Sequence, residues 1–145
     1  MSCTQCIKAA GCLDPSAGGA TCETPPISLA PHFTGTLPDG NNCSTVFQPS
    51  TATETQICLD TLDRIFSSAC AATLTATPCL CGTTDTASCL AGTATPKGAL
   101  YDTYACDFNS TSSTSIQSAF QVMTTGAGVA NAIILCAAMS GCDCF

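Results

Sequence analysis

The most regular apolar pattern lies in the last third of the chain, where Ile116, Phe120, Met123, Ala127, Ala130, Ile134 and Ala137 recur at alternating steps of four and three residues. That spacing marks one face of a helix, and Thr114 with Gln117 supplies a start signal and Gly141 a stop. Val122, Val129 and Cys136 form a second apolar line, and from Ala127 to Met139 only Asn131 is strongly polar. A helix apolar nearly all round has to be enclosed. Its apolar run of about 14 residues falls short of the roughly 20 that cross a bilayer. Gly126 and Gly128 sit inside the pattern, where each costs about 1 kcal/mol, so a kink or a close backbone approach is expected there.

A second helix is predicted from about 54 to about 72. Thr53 and Gln56 make a capping box, and Leu59, Leu62, Phe66 and Ala69 or Cys70 follow at helical spacing, with Cys58 and Ile65 broadening the apolar face. The first dozen residues predict a short helix with Ser2 as N-cap, Gln5 completing the box and Gly11 ending it. From Asp14 to about Pro49 the signals are turns: Asp14-Pro15, Gly18-Gly19, Pro25-Pro26 and Leu37-Pro38-Asp39-Gly40-Asn41. Between Pro78 and Phe108 two short helical turns are expected, one from Asp85 to Gly92 and one carrying Leu100, Tyr101 and Tyr104. The fold expected is mostly α: a small disulfide-rich helical domain with an irregular N-terminal arm. Residues 1–145 form one domain, 1–50 being the short helix and arm and 51–145 the helical core.

Composition changes this picture mainly through cysteine. Of 145 residues 14 are cysteine, at positions Cys3, Cys6, Cys12, Cys22, Cys43, Cys58, Cys70, Cys79, Cys81, Cys89, Cys106, Cys136, Cys142 and Cys144. An even count at this density reads as a disulfide scaffold formed in an oxidising compartment. Roughly 10⁵ pairings are possible by the counting rule, so connectivity stays open. No export signal is visible ahead of Cys3, and the chain reads as the mature form of a secreted protein.

Charge narrows the partners. Lys8, Lys97 and Arg64 face ten carboxylates, for a net charge of −7, which excludes the clustered cations that nucleic acid binding needs. Charged residues are only 9 % of the chain. The surface is therefore expected to be wetted by hydroxyls and compatible with self-association.

Candidate chemistry is sparse. The close pairs Cys3/Cys6, Cys79/Cys81 and Cys142/Cys144 suggest metal only if four ligands converge, and disulfides account for them more economically. No metal and no cofactor is expected. The single histidine, His32, lies in Pro31-His32-Phe33-Thr34 within the turn-rich arm, where it reads as a loop residue without a nucleophile to serve. Asp60 and Asp63, and Asp102 and Asp107 flanking Tyr104, are carboxylate pairs of the kind glycosidases use, but a solvated polar face is the simpler reading. Asp39-Gly40-Asn41-Asn42 offers oxygen ligands for calcium yet lacks the twelve-residue loop pattern, and a turn is expected. Asn42 and Asn109 begin glycosylation sequons.

Thr77-Pro78-Cys79-Leu80-Cys81-Gly82 looks like the calcium loop of secreted phospholipases A2, but the Cys-Cys and His-Asp dipeptides of that family are missing. Pro78-Cys79-Leu80-Cys81-Gly82-Thr83, Cys89-Leu90-Ala91-Gly92, Gly128-Val129-Ala130-Asn131-Ala132 and Cys142-Asp143-Cys144-Phe145 together resemble small secreted cysteine-rich proteins of unknown function from myxobacteria. The resemblance spans Cys58 to Phe145 and implies no activity. The function expected is a secreted structural or interaction protein of the cell envelope or extracellular matrix, not an enzyme, self-assembling into oligomers or filaments. Its partners would be copies of itself or another extracellular protein. The alternative is a small extracellular binding module or hydrolase with its site near His32 or beside Asp102.

Overall fold

The computed structural model describes residues 1–23, 32–46, 52–73 and 75–145. The expected turn at Pro25-Pro26, and Pro31 and Pro49, lie outside them. Among the described residues helix is the dominant element: α1 (Cys3–Ala9), α2 (Cys43–Val46), α3 (Glu54–Ser68), α4 (Thr77–Cys81), α5 (Thr86–Leu90), α6 (Tyr101–Asp107), α7 (Ser113–Ala119) and α8 (Gly126–Met139). One antiparallel bridge, Thr36 to Asn42, closes the Pro38–Gly40 turn.

Two of the three predicted start signals are present as capping boxes, and the third is displaced: α7 is capped by Ser112, which accepts from the Ser115 N–H, so Thr114 lies inside the helix. Ser2 accepts from the Gln5 N–H while Gln5 reaches back to the Ser2 amide, and Thr53 and Gln56 do the same for α3. Asp85 caps α5 by accepting from the Ser88 N–H. The third helix stops at Ser68, short of the expected 72, because Ala69 turns left-handed at φ +52°.

Two expectations are corrected. The long terminal helix is two helices: α7 ends at Ala119, and α8 restarts after Thr125, whose hydroxyl accepts from the Gly128 N–H. A strong N-cap interrupts the apolar repeat. Gly126 and Gly128 are thus first-turn residues of α8 rather than interior ones, but the close approach they implied is real. A Cβ on Gly126 would collide with the carbonyl of Glu54 and lie 2.7 Å from the Cys58 nitrogen; on Gly128 it would collide with the Val122 carbonyl.

The buried face of α3 is also rotated from the expected one. Glu54, Ile57, Cys58, Thr61 and Ile65 point inward, whereas Leu59 is 56 % and Phe66 38 % exposed. The two stripes differ by one residue in register, about 100° around the helix. Packing on α8 selects the narrower side, where Cys58 and Thr61 let the backbones approach.

The third and eighth helices form the most extensive helix pair. One core cluster lies around Leu80, Leu100, Tyr101, Tyr104 and Ile116; the other joins α1 to α8 through Ile7, Val129 and Ile133. Along α8, Gly126 to Asn131, Ile133, Ile134 and Ala137 are buried, and only the end residue Met139 is exposed. The chain itself encloses this helix, as its all-round apolarity required. Asn131 is accommodated by a 2.8 Å hydrogen bond donated by the Tyr104 hydroxyl. None of the helices among the described residues is long and apolar enough to cross a membrane.

All 14 cysteines are paired. Cys3–Cys144, Cys6–Cys142 and Cys12–Cys136 fasten the two ends of the chain together. Cys22–Cys58 and Cys43–Cys106 tie the arm to α3 and α6. Cys70–Cys79 and Cys81–Cys89 are local staples around α4. The segment with phospholipase-like spacing is therefore a short helix with both cysteines committed to disulfides.

Candidate functional site

The N-terminus of α8 organises the most unusual chemistry in the molecule. A helix start leaves N–H groups without intrahelical partners and carries partial positive charge. Gly126 donates to Glu54 Oε2 at 2.7 Å, Ala127 to Asp107 Oδ2 at 2.9 Å, and Gly128 to its own cap, Thr125, at 3.1 Å. Two carboxylates thus come from other helices, Glu54 being the first residue of α3 and Asp107 the last of α6. Gly126 makes this possible, since a side chain there would strike the Glu54 backbone.

Each carboxylate turns its other oxygen toward His32. His32 Nε2 lies 3.2 Å from Glu54 Oε1 and 3.5 Å from Asp107 Oδ1. The arm is held there by the Phe33 N–H, which donates to the Cys106 carbonyl at 3.1 Å, and by the Cys43–Cys106 disulfide. Side-chain exposure is 24 % for His32, 3 % for Glu54 and zero for Asp107. Burial, reinforced by Glu54, pushes the Asp107 carboxyl up to about 8. Its Oδ1 has no hydrogen-bond partner. One ligand atom from each of the three residues can be chosen so that all lie within 4.8 Å of one another.

This corrects two readings of the sequence. His32 is not a loose loop histidine but the partner of two buried acids, and Asp107 is not on a solvated face. Glu54 was missed altogether. Following a cap residue, an acid reads as an ordinary first-turn residue favoured by the helix dipole. Only the tertiary fold brings residues 32, 54 and 107 together.

A second acidic site lies beside Asp102. Asn41 donates to Asp102 Oδ2 at 2.7 Å and to Asp39 Oδ2 at 3.3 Å, while the Asn41 N–H donates to Asp39 Oδ1 at 3.0 Å. The Asp39–Asn41 segment is the expected turn, with Gly40 at φ +88°. Burial and then the neighbouring Asp39 push Asp102 up to about 6. Asp39 is held lower than usual, because hydrogen bonds from Asp102 and Asn41 outweigh its own burial. A cleft of about 420 Å³ opens here, lined among others by Asp39, Arg64, Lys97, Tyr101 and Asp102. Burial, then Asp39 and Asp102, pushes the Tyr101 hydroxyl up to about 12, and it has no hydrogen-bond partner.

Asp60 and Asp63 do not join either group. Asp60 pairs with Arg64 at 2.9 Å one turn away, and Asp63 is exposed. No family model, curated protein or solved structure matches the chain.

Proposed function

We propose that the protein is a secreted, disulfide-locked structural or interaction protein of the cell envelope or extracellular matrix that acts through its surface and associates with copies of itself. The observation that carries this reading is the outer face of α3. Leu59 is 56 % exposed, Phe66 38 %, and Phe145 42 %, and the Phe145 ring stacks on Phe66 at 5.8 Å. An apolar strip on a rigid frame suits docking, since a subunit held by seven disulfides loses little conformational entropy on association. The buried α8 contributes nothing to this surface, so the strip on α3 takes the role its sequence suggested.

Association through such a strip is driven by apolar burial and persists in high salt, because few ion pairs are there to be screened. Sedimentation velocity across concentration and ionic strength tests this. The native protein should form concentration-dependent oligomers, and Leu59→Ser with Phe66→Ser should return it to monomer. A strict monomer at all concentrations, or oligomers dissolved by salt, would refute the reading.

One observation favours a second reading, a small extracellular binding module. Tyr101 and Asp102 line the cleft, and just beneath its surface the Tyr101 hydroxyl and Asp102 Oδ1 are buried without hydrogen-bond partners. A persistent monomer would shift the balance to that cleft.

A further inference from the structure

We propose that His32, Glu54 and Asp107 bind a single first-row divalent cation, zinc being the best fit, which fastens the N-terminal arm to the helical core. The site departs from the expectation of a metal-free protein, which weighed the close cysteine pairs, now all in disulfides, and the Asp39–Asn42 turn, but not these three residues together.

The spacing suits a metal. Tetrahedral zinc with ligand bonds of about 2.0–2.1 Å places its ligand atoms about 3.3–3.4 Å apart. His32 Nε2 stands 3.2 Å from Glu54 Oε1 and 3.5 Å from Asp107 Oδ1. One ligand atom from each of the three residues lies within 4.8 Å of the other two. One imidazole with two carboxylates is a donor set for zinc, manganese or iron, whereas calcium and magnesium take oxygen alone.

An independent observation points to a missing ligand. Asp107 Oδ1 is buried and lacks a hydrogen-bond partner, although it faces His32 and Glu54. A buried acceptor left so is costly, and more so when charged. A cation at the centre satisfies it and offsets the charge of the deprotonated acids. The outer oxygens already have the support that metal-ligating carboxylates require: Gly126 and Ala127 hold Glu54 Oε2 and Asp107 Oδ2 and so fix both planes. His32 alone among the three is open to solvent, so a water completing the tetrahedron enters from its side.

The ligands come from the arm, α3 and α6, and two of them cap α8. A bound ion is therefore a fourth kind of staple, removable by chelators where the disulfides are not. Metal ligands bind in their deprotonated forms, so affinity falls as pH is lowered.

The test uses tag-free, chelator-treated protein with its disulfides intact. His32 is the only histidine, so its ring nitrogens are assigned in a ¹⁵N spectrum without any variant. Titration with zinc chloride at neutral pH should saturate at one ion per chain, move the His32 Nε2 resonance, and raise the thermal midpoint, with EDTA reversing all three. Magnesium and calcium at the same concentrations should leave the ring unchanged. Asp107→Asn should weaken zinc binding by about tenfold or more, and the exposed Asp63→Asn should not. An unmoved imidazole in the native protein overturns the proposal whether or not the variants fold. So does a folded Asp107→Asn that binds zinc as tightly as the native chain.

Discussion

Replacing Gly126 by alanine should destabilise the protein although it improves the residue as a helix former. The added methyl would collide with the Glu54 carbonyl, approach the Cys58 nitrogen to 2.7 Å and the Glu54 carbonyl carbon to 3.0 Å. All three are backbone atoms of α3, which cannot rotate away as a side chain would. Overpacking of this kind costs about 1–3 kcal/mol. Moving α8 outward to relieve it also stretches the hydrogen bond from Gly126 to Glu54 Oε2, and hydrogen bonds to charged groups contribute about 1.5–3 kcal/mol. The gain in helix propensity offsets at most about 1 kcal/mol. The net loss is about 2–4 kcal/mol, which at about 4 °C per kcal/mol for a chain of this size lowers the melting point by about 8–16 °C. Circular dichroism melts with all disulfides intact measure it. Gly128→Ala provides the scale: its methyl meets Val122 and Thr125 in the adjoining loop, which yields more easily, so its loss should be smaller. A Gly126→Ala protein as stable as the native one would show that the α3–α8 contact has slack and that the reasoning is wrong.

Thiol titration of the unfolded but unreduced protein should find no free cysteine, and reduction should abolish the cooperative melt, since each bridge contributes about 2–4 kcal/mol. Several reactive thiols would refute the pairing. The Asp39–Asp102 pair predicts a stability that falls as pH rises from about 4 to about 6: Asp102, raised to about 6, holds a proton in the folded state that the unfolded chain has already released. Asp39, lowered, acts oppositely below about pH 4, where its contribution is lost as acid protonates it. Denaturation across pH should show Asp102→Asn making the fall between pH 4 and 6 shallower, what remains coming from Asp107, raised to about 8; an unchanged profile would show that Asp102 is not held protonated in the folded state.

What was legible in the sequence was local. Ser2 with Gln5 and Thr53 with Gln56 act within four residues, so their capping boxes can be read directly and are found as expected. The failures are failures of context. Leu59, Leu62 and Phe66 make a stronger hydrophobic stripe than Cys58, Thr61 and Ile65, yet close packing of α8 prefers the smaller residues and a disulfide anchors Cys58 inward. The apolar repeat from Ile116 to Ala137 runs through Thr125 unbroken, and only the cap geometry shows that the helix restarts there. The cluster at His32 was the least accessible. Its members sit on an irregular arm, at a helix start and at a helix end, and burial of two acids is a property of the assembled core.

Three disulfides joining the first twelve residues to the last ten also decide how the molecule bears load. Tension entering at Cys3 and leaving at Cys144 passes through a covalent bond between them and never reaches the helices. An ordinary domain of this length, once pulled open, would lengthen by on the order of 450 Å at about 3.3–3.6 Å per residue. This one has nothing to pay out. Linked into a chain by its ends it would behave as an inextensible link, and a backbone cut between Cys12 and Cys136 would leave its ends still joined.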